Sequence, residues 1–252
     1  MASKKKETTK NNVGNTAPTD GIEAPIGTHA VAQQAPTSHV GMPVNGANDF
    51  EGEMEKSDIK IPKLNIAQKI GPLSDDWPFG AWVLSRTTQL AGLGDPVHFT
   101  PLSGRKTYVE ALEYGSDTFP RVFNTKAEAL NAGLRVEFDS ASGDRPEVNQ
   151  CLDVVLLIRS TDADSPEFAL EFNGEKYAMA LWTIGSWSAY NAAAKPLLTA
   201  RTMHLTSFHQ REWTAITTKH VLGNGNTIAN PKLTAGVENN VEFKAWADSL
   251  VG

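Results

Sequence analysis

The run Leu152-Asp153-Val154-Val155-Leu156-Leu157-Ile158-Arg159 is apolar and rich in branched side chains everywhere but at Asp153 and the closing arginine. Such a run predicts a central β-strand covered on both faces, and it is far too short to cross a bilayer. A strand of this kind needs a sheet around it. Strand-like runs recur at Phe79–Arg86, Val97–Thr100, Arg105–Leu112, Phe168–Phe172, Lys176–Thr183, Arg201–Thr206 and Arg211–Thr218, bounded by Gly, Pro, Asp and Ser clusters. Asn173-Gly174-Glu175 joins two of them and predicts a hairpin.

Helical signals are few. Thr125-Lys126-Ala127-Glu128 forms a capping box, and Gly133 supplies a left-handed stop about two turns later. Ser186 and Ser188 can cap an Ala-rich segment over Tyr190–Lys195, which Pro196 is expected to kink or end. A final helix is predicted near Val241–Leu250, with Val241, Trp246 and Leu250 at roughly helical spacing. The sum is a mainly β domain over residues 56–252, a β-barrel or sandwich carrying about three short helices. No internal repeat is visible.

Residues 1–55 read as a disordered polar arm, rich in Thr, Asn, Gly, Pro, Ala and Gln, with a lone Phe50 and no periodicity that could bury a face. Lys4, Lys5 and Lys6 precede polar residues, so they do not open a signal peptide. The expectation is a soluble, cytoplasmic protein with no membrane partner. A single cysteine, Cys151, excludes an intrachain disulfide and a cysteine-based zinc site.

The formal charge of −6 argues against a surface that grips duplex DNA as a whole, but a local basic groove on an acidic body remains compatible with it. Such a region lies between Lys176 and Lys232: Lys176, Lys195, Arg201, Arg211, Lys219 and Lys232 stand against Glu212, with Glu175 just outside. Strand alternation puts Lys176, Ala178, Ala180 and Trp182 on one face, with a shallow alanine trough between cation and ring. Arg211 with Trp213 repeats the pattern, and Lys106 with Tyr108 gives a third pair. Cations hold phosphates and flat rings stack unpaired bases, so the pattern suits a single-stranded nucleic acid. The competing assignment makes Trp182 and Trp213 core residues whose cations merely flank strand ends. Trp187 and Tyr190, three apart at a helix entrance, either clamp a base, or Trp187 staples the helix to the sheet, which is the favoured assignment.

Other groups point to structure. His204 and His209 lack a third metal ligand nearby, and Cys151 has no adjacent cationic activator. Asp162 and Asp164 sit in a polar loop, and Gly223-Asn224-Gly225-Asn226-Thr227 lacks the Gly-Lys-Ser/Thr ending of a phosphate-binding loop. No catalytic constellation, metal site or cofactor motif is apparent, so a non-enzymatic role is expected.

Across roughly Ile59 to Leu233 the chain resembles bacteriophage single-stranded-DNA-binding proteins with an OB-like barrel. The resemblance rests on Ile61-Pro62-Lys63-Leu64-Asn65-Ile66-Ala67-Gln68, Gly80-Ala81-Trp82-Val83-Leu84 and Val97-His98-Phe99-Thr100-Pro101-Leu102. It continues through Thr125–Gly133, Cys151–Ile158 and the segment from Lys176-Tyr177-Ala178 through Ser188-Ala189-Tyr190 to Lys195. It implies a protein that coats single-stranded DNA in phage replication or recombination, in the host cytoplasm, with replication or recombination proteins as partners and self-association as a homo-oligomer. Many such proteins end in an acidic tail, whereas this chain ends Asp248-Ser249-Leu250-Val251-Gly252. The main alternative is a viral structural or scaffold-type assembly protein.

Overall fold

The computed structural model describes residues 60–112, 118–160, 166–203, 207–223 and 225–251. The arm assigned to residues 1–55, Asp162 and Asp164, His204 and Asn224 all lie outside them. The fold is mainly β, a sheet curled into a half-barrel. Its strands are β1 (Lys63–Ile66), β2 (Trp82–Leu84), β3 (Thr88–Ala91), β4 (Val97–Glu110), β5 (Val122–Phe123), β6 (Val148–Arg159), β7 (Leu170–Phe172), β8 (Glu175–Ile184), β9 (Arg211–Val221) and β10 (Thr227–Glu238). Neighbours run β10-β9-β4-β6-β8-β1-β2-β3, with β5 beside β4 and β7 beside β8. The β1–β8 pair is parallel and the other pairs are antiparallel.

The predicted central strand is β6, buried from Cys151 to Ile158. One face of it, Leu152, Val154, Leu156 and Ile158, belongs to the main core. The other, Val155 and Leu157, packs with Tyr177, Leu181 and Phe243. The predicted β7–β8 hairpin forms around Asn173 (φ 50°) and Gly174 (φ 81°), the two consecutive left-handed residues a tight hairpin turn requires.

Helix α1 (Lys126–Asn131) starts where the capping box places it: Glu128 N donates to Thr125 Oγ1 at 3.1 Å. The Glu128 carboxylate reaches one residue further back than the simple box, accepting from Asn124 N at 2.9 Å. Ser186 caps α2 (Trp187–Ala189), accepting from Ala189 N. A π-helical turn (Tyr190–Ala194) then leads into α3 (Lys195–Met203).

Pro196, expected to kink or end the helix, does not end it: the wide turn before it shifts the bonding by one residue, and Lys195 N donates to Tyr190 O. The proline, which has no N–H to offer, then falls in the first turn of α3, where none is needed. Arg201 is not on a strand: residues 201–203 close α3, and the rest of the predicted run, 204–206, lies outside the described residues. The last helix, α4 (Val241–Val251), packs through Phe243, Trp246, Ala247 and Leu250, with Val241 exposed at its start.

The β1–β2 connection is tied to the β9–β10 end of the sheet by side chains, not by a continuous ladder. Gln68 Nε2 donates to Ala229 O at 3.0 Å, and Gln68 Oε1 accepts from Ala229 N at 2.9 Å. Thr217 Oγ1 donates to Gly80 O at 2.6 Å. The Gln68 carboxamide thus mimics a peptide group of a missing strand. Gln68→Ala is expected to lower stability by about 2 kcal/mol, the worth of two such bonds, measured by urea unfolding. A loss within experimental error would show that the seam is held by apolar packing alone.

Among the described residues no helix is long and apolar enough to cross a membrane.

Candidate nucleic-acid interface

Trp182 and Trp213 are core residues, 4% and 5% exposed, which corrects their assignment as base-stacking platforms. The alternation itself is as read: Ala178, Ala180 and Trp182 share a face of β8, and Trp213 and Ala215 share a face of β9. What fills the alanine trough is the protein's own helical arm, through Tyr190, Ala193, Ala194 and Leu197. Trp182 meets Trp82 edge-on at 5.2 Å and Phe99 at 6.1 Å between ring centroids.

The cations disperse. Lys176 opens β8, cross-strand from Glu171 and half-buried. Arg211 opens β9 with its Nε buried, whereas Lys219 is exposed near the far end, about 27 Å along the strand at about 3.4 Å per residue. These three do not converge.

Lys106, Lys195 and Arg201 come closer to forming a surface. The Lys106 ammonium lies over two rings, 5.2 Å from the centroid of Tyr108 and 5.8 Å from that of Tyr190. Partial burial opposes its charge, but hydrogen bonding and proximity to the two phenols outweigh this and raise its pKa. It is therefore a fixed cation at any physiological pH. Tyr108 is itself buried, a support beneath Lys106 and not an open platform.

Two residues away, Gly104 is exposed on the same face of β4. A Cβ there would lie 3.1 Å from Phe208 Cζ, so the missing side chain is what lets Phe208 settle on the strand. Arg201, in the last turn of α3, rides over that ring at 5.7 Å, where the helix dipole also favours a cation. Lys195 is exposed at the start of α3.

Trp187, 79% exposed, stands at the head of the arm, while Tyr190 is buried. This corrects the assignment of Trp187 as the staple: its ring faces solvent, and Tyr190 is the aromatic that packs into the core.

Some surface cations elsewhere are neutralised by ion pairs, although among the described residues Arg86, Lys219 and Lys232, like the cations of this strip, are not. Arg121 is held by Glu110, Lys126 by Glu137, and Arg135 by Asp144 and Glu147. Among the described residues no carboxylate pairs with Lys106, Lys195 or Arg201. A cleft of about 410 Å³ beside α4 has the opposite character: Glu175, Glu212 and Glu238 line it, with Arg159 bridging the first two at 3.5 and 3.3 Å. A phosphate chain would be repelled there.

The remaining groups are structural. His209 is buried with its Nε2 3.1 Å from Asp248 Oδ1, tying the turn before β9 to α4. Burial pushes the Cys151 thiol up to about 11, helped by Asp153, which makes it a poor nucleophile.

Sequence reasoning missed Phe208 as the partner of Arg201 and Tyr190 as the second ring under Lys106. Both contacts join segments that no local periodicity connects. Comparison with protein-family models, curated proteins and solved structures finds no match to this chain.

Proposed function

We propose that this protein binds single-stranded nucleic acid without enzymatic action, as a phage single-stranded-DNA-binding protein of replication or recombination would. The observation that carries the reading is the pair of ring-mounted cations, Lys106 over Tyr108 and Tyr190 and Arg201 over Phe208, flanking exposed Gly104. Lys195 and the exposed ring of Trp187 extend the same helical arm. Cations that track a backbone beside a flat, solvent-facing ring suit an unpaired strand, whose bases are free to stack. Rings beneath the cations hold them in place, so less side-chain freedom is lost on binding.

Three neutralised phosphates correspond to a log–log salt slope near −2, so affinity for an oligothymidylate is expected to fall about 20-fold between about 50 and 200 mM salt. Fluorescence anisotropy of a labelled oligonucleotide measures this. Salt-independent binding, or a preference for duplex, would contradict the reading.

The assembly-protein alternative draws on exposed Val221, Val237 and Val241. Against it, the edge strand β10 is engaged at Ala229 by Gln68 and carries Pro231, Lys232 and a register shift between Ala235 and Glu238, devices that discourage edge-to-edge pairing.

A further inference from the structure

A cleft of about 290 Å³ opens where β1, the start of α2 and β10 come together. Leu64 and Ile66 of β1, Ile70 and Pro72 of the following loop, and Pro231 of β10 make the apolar half of its lining, and Asn65, Gln68, Thr183 and Ser186 are among the polar residues of the other half. Ile70 is 78% exposed on its lip and contributes to none of the core clusters. Among the described residues that line the cleft, Arg86 is the one charged side chain.

The backbone that presents Arg86 is unusual. Ser85 (φ 52°) and Arg86 (φ 65°) are consecutive left-handed residues in the β2–β3 turn, and neither is Gly, Asn or Asp. The turn is fixed from two sides: Trp77 Nε1 donates to Arg86 O at 3.3 Å, and the hydroxyls of Thr87 and Thr88 donate to Glu167 Oε1 at 3.1 and 2.7 Å. Thr87 N donates to Leu84 O at 3.0 Å, so the two left-handed residues form the tight turn that joins β2 to β3 and fix where Arg86 sits.

The cleft adjoins the basic strip. Ser186 and Ala189 line it, and Trp187 and Tyr190 follow them directly in the chain. Ile184, another lining residue, pairs across the sheet with Leu152, and Leu152 pairs with Lys106. Two strand spacings, about 10 Å, therefore separate Lys106 from the cleft wall.

We infer that the cleft receives one nucleotide of the bound strand, its phosphate on Arg86 and its base against the apolar wall at Ile66, Ile70 and Pro231. A single cation on a hollow that is half apolar and half hydrogen-bonding complements a unit with one charge, one flat face and a polar edge. This deepens the single-strand reading and rests on it.

The experiment compares the full-length protein with three variants, Arg86→Asn, Ile70→Ala and the double variant Lys106→Gln/Arg201→Gln, by anisotropy of a labelled oligothymidylate of about 15 nucleotides, within the usual site size. Asn tolerates the left-handed region, so Arg86→Asn keeps or raises the melting temperature while removing the charge. Losing one phosphate contact weakens binding about fivefold at about 100 mM salt and reduces the salt slope by about 0.7. Ile70→Ala weakens binding with the slope unchanged, since it removes a base contact and no charge.

Wild-type affinity and slope in Arg86→Asn, alongside weakened binding by the double variant, would overturn the cleft assignment and leave the single-strand reading standing. A drop in melting temperature for Arg86→Asn would also overturn it, because Arg86 would then be holding the turn. No binding by the unmodified protein would overturn both.

Discussion

Replacing Trp182 with Ala will destabilise the protein by about 3–5 kcal/mol, the range for emptying a buried aromatic site. The ring is 4% exposed and lies between Trp82 and Phe99, and Ala178 and Ala180 beside it are too small to move into the space. Against a total stability of about 5–15 kcal/mol this is a large fraction, visible as an earlier urea midpoint and a lower melting temperature. A variant that kept its stability but lost oligonucleotide binding would show that the ring serves as a platform after all.

Trp187→Ala should behave in the opposite way. With 79% of its surface exposed, the ring contributes little to the core, and stability should stay within about 0.5 kcal/mol of the unmodified protein. Oligonucleotide affinity should fall by about 1–3 kcal/mol, or about 5- to 150-fold, the usual worth of one stacked base. Phe in its place should restore most of the loss, since stacking needs a flat face more than an indole nitrogen. Unchanged affinity in Trp187→Ala would remove this residue from the interface. The two tryptophans lie five positions apart, and the pair of experiments separates packing from recognition.

Local chemistry made much of the fold legible. The branched run of β6, the Asn173-Gly174 turn and the Thr125–Glu128 cap each act over a few residues, and each forms where the sequence places it. Strand β4 was harder to see as one element because it continues through Pro101, which a register shift beside it accommodates. Strand β10, with Asn230, Pro231 and Gly236, looks like loop because an edge strand tolerates residues that a central strand rejects.

The candidate site was legible only where it is local. Lys106 and Tyr108 are two positions apart on one strand, and their contact follows from the pleat. Alternation identified the face that Trp182 shares with Ala178 and Ala180, but not what would cover it. That depended on the helical arm, whose docking a one-dimensional pattern does not encode.

The wide turn at Tyr190–Ala194 acts as a phase shifter. One residue of an α-helix corresponds to about 100° around the axis, so absorbing an extra residue turns everything beyond it by about that angle relative to Trp187. The azimuth of Lys195 and Arg201 is therefore set upstream of both, in the bulge that accommodates Pro196. An uninterrupted helix of the same composition would point Arg201 away from Phe208, and it would no longer lie beside Gly104 with Lys106.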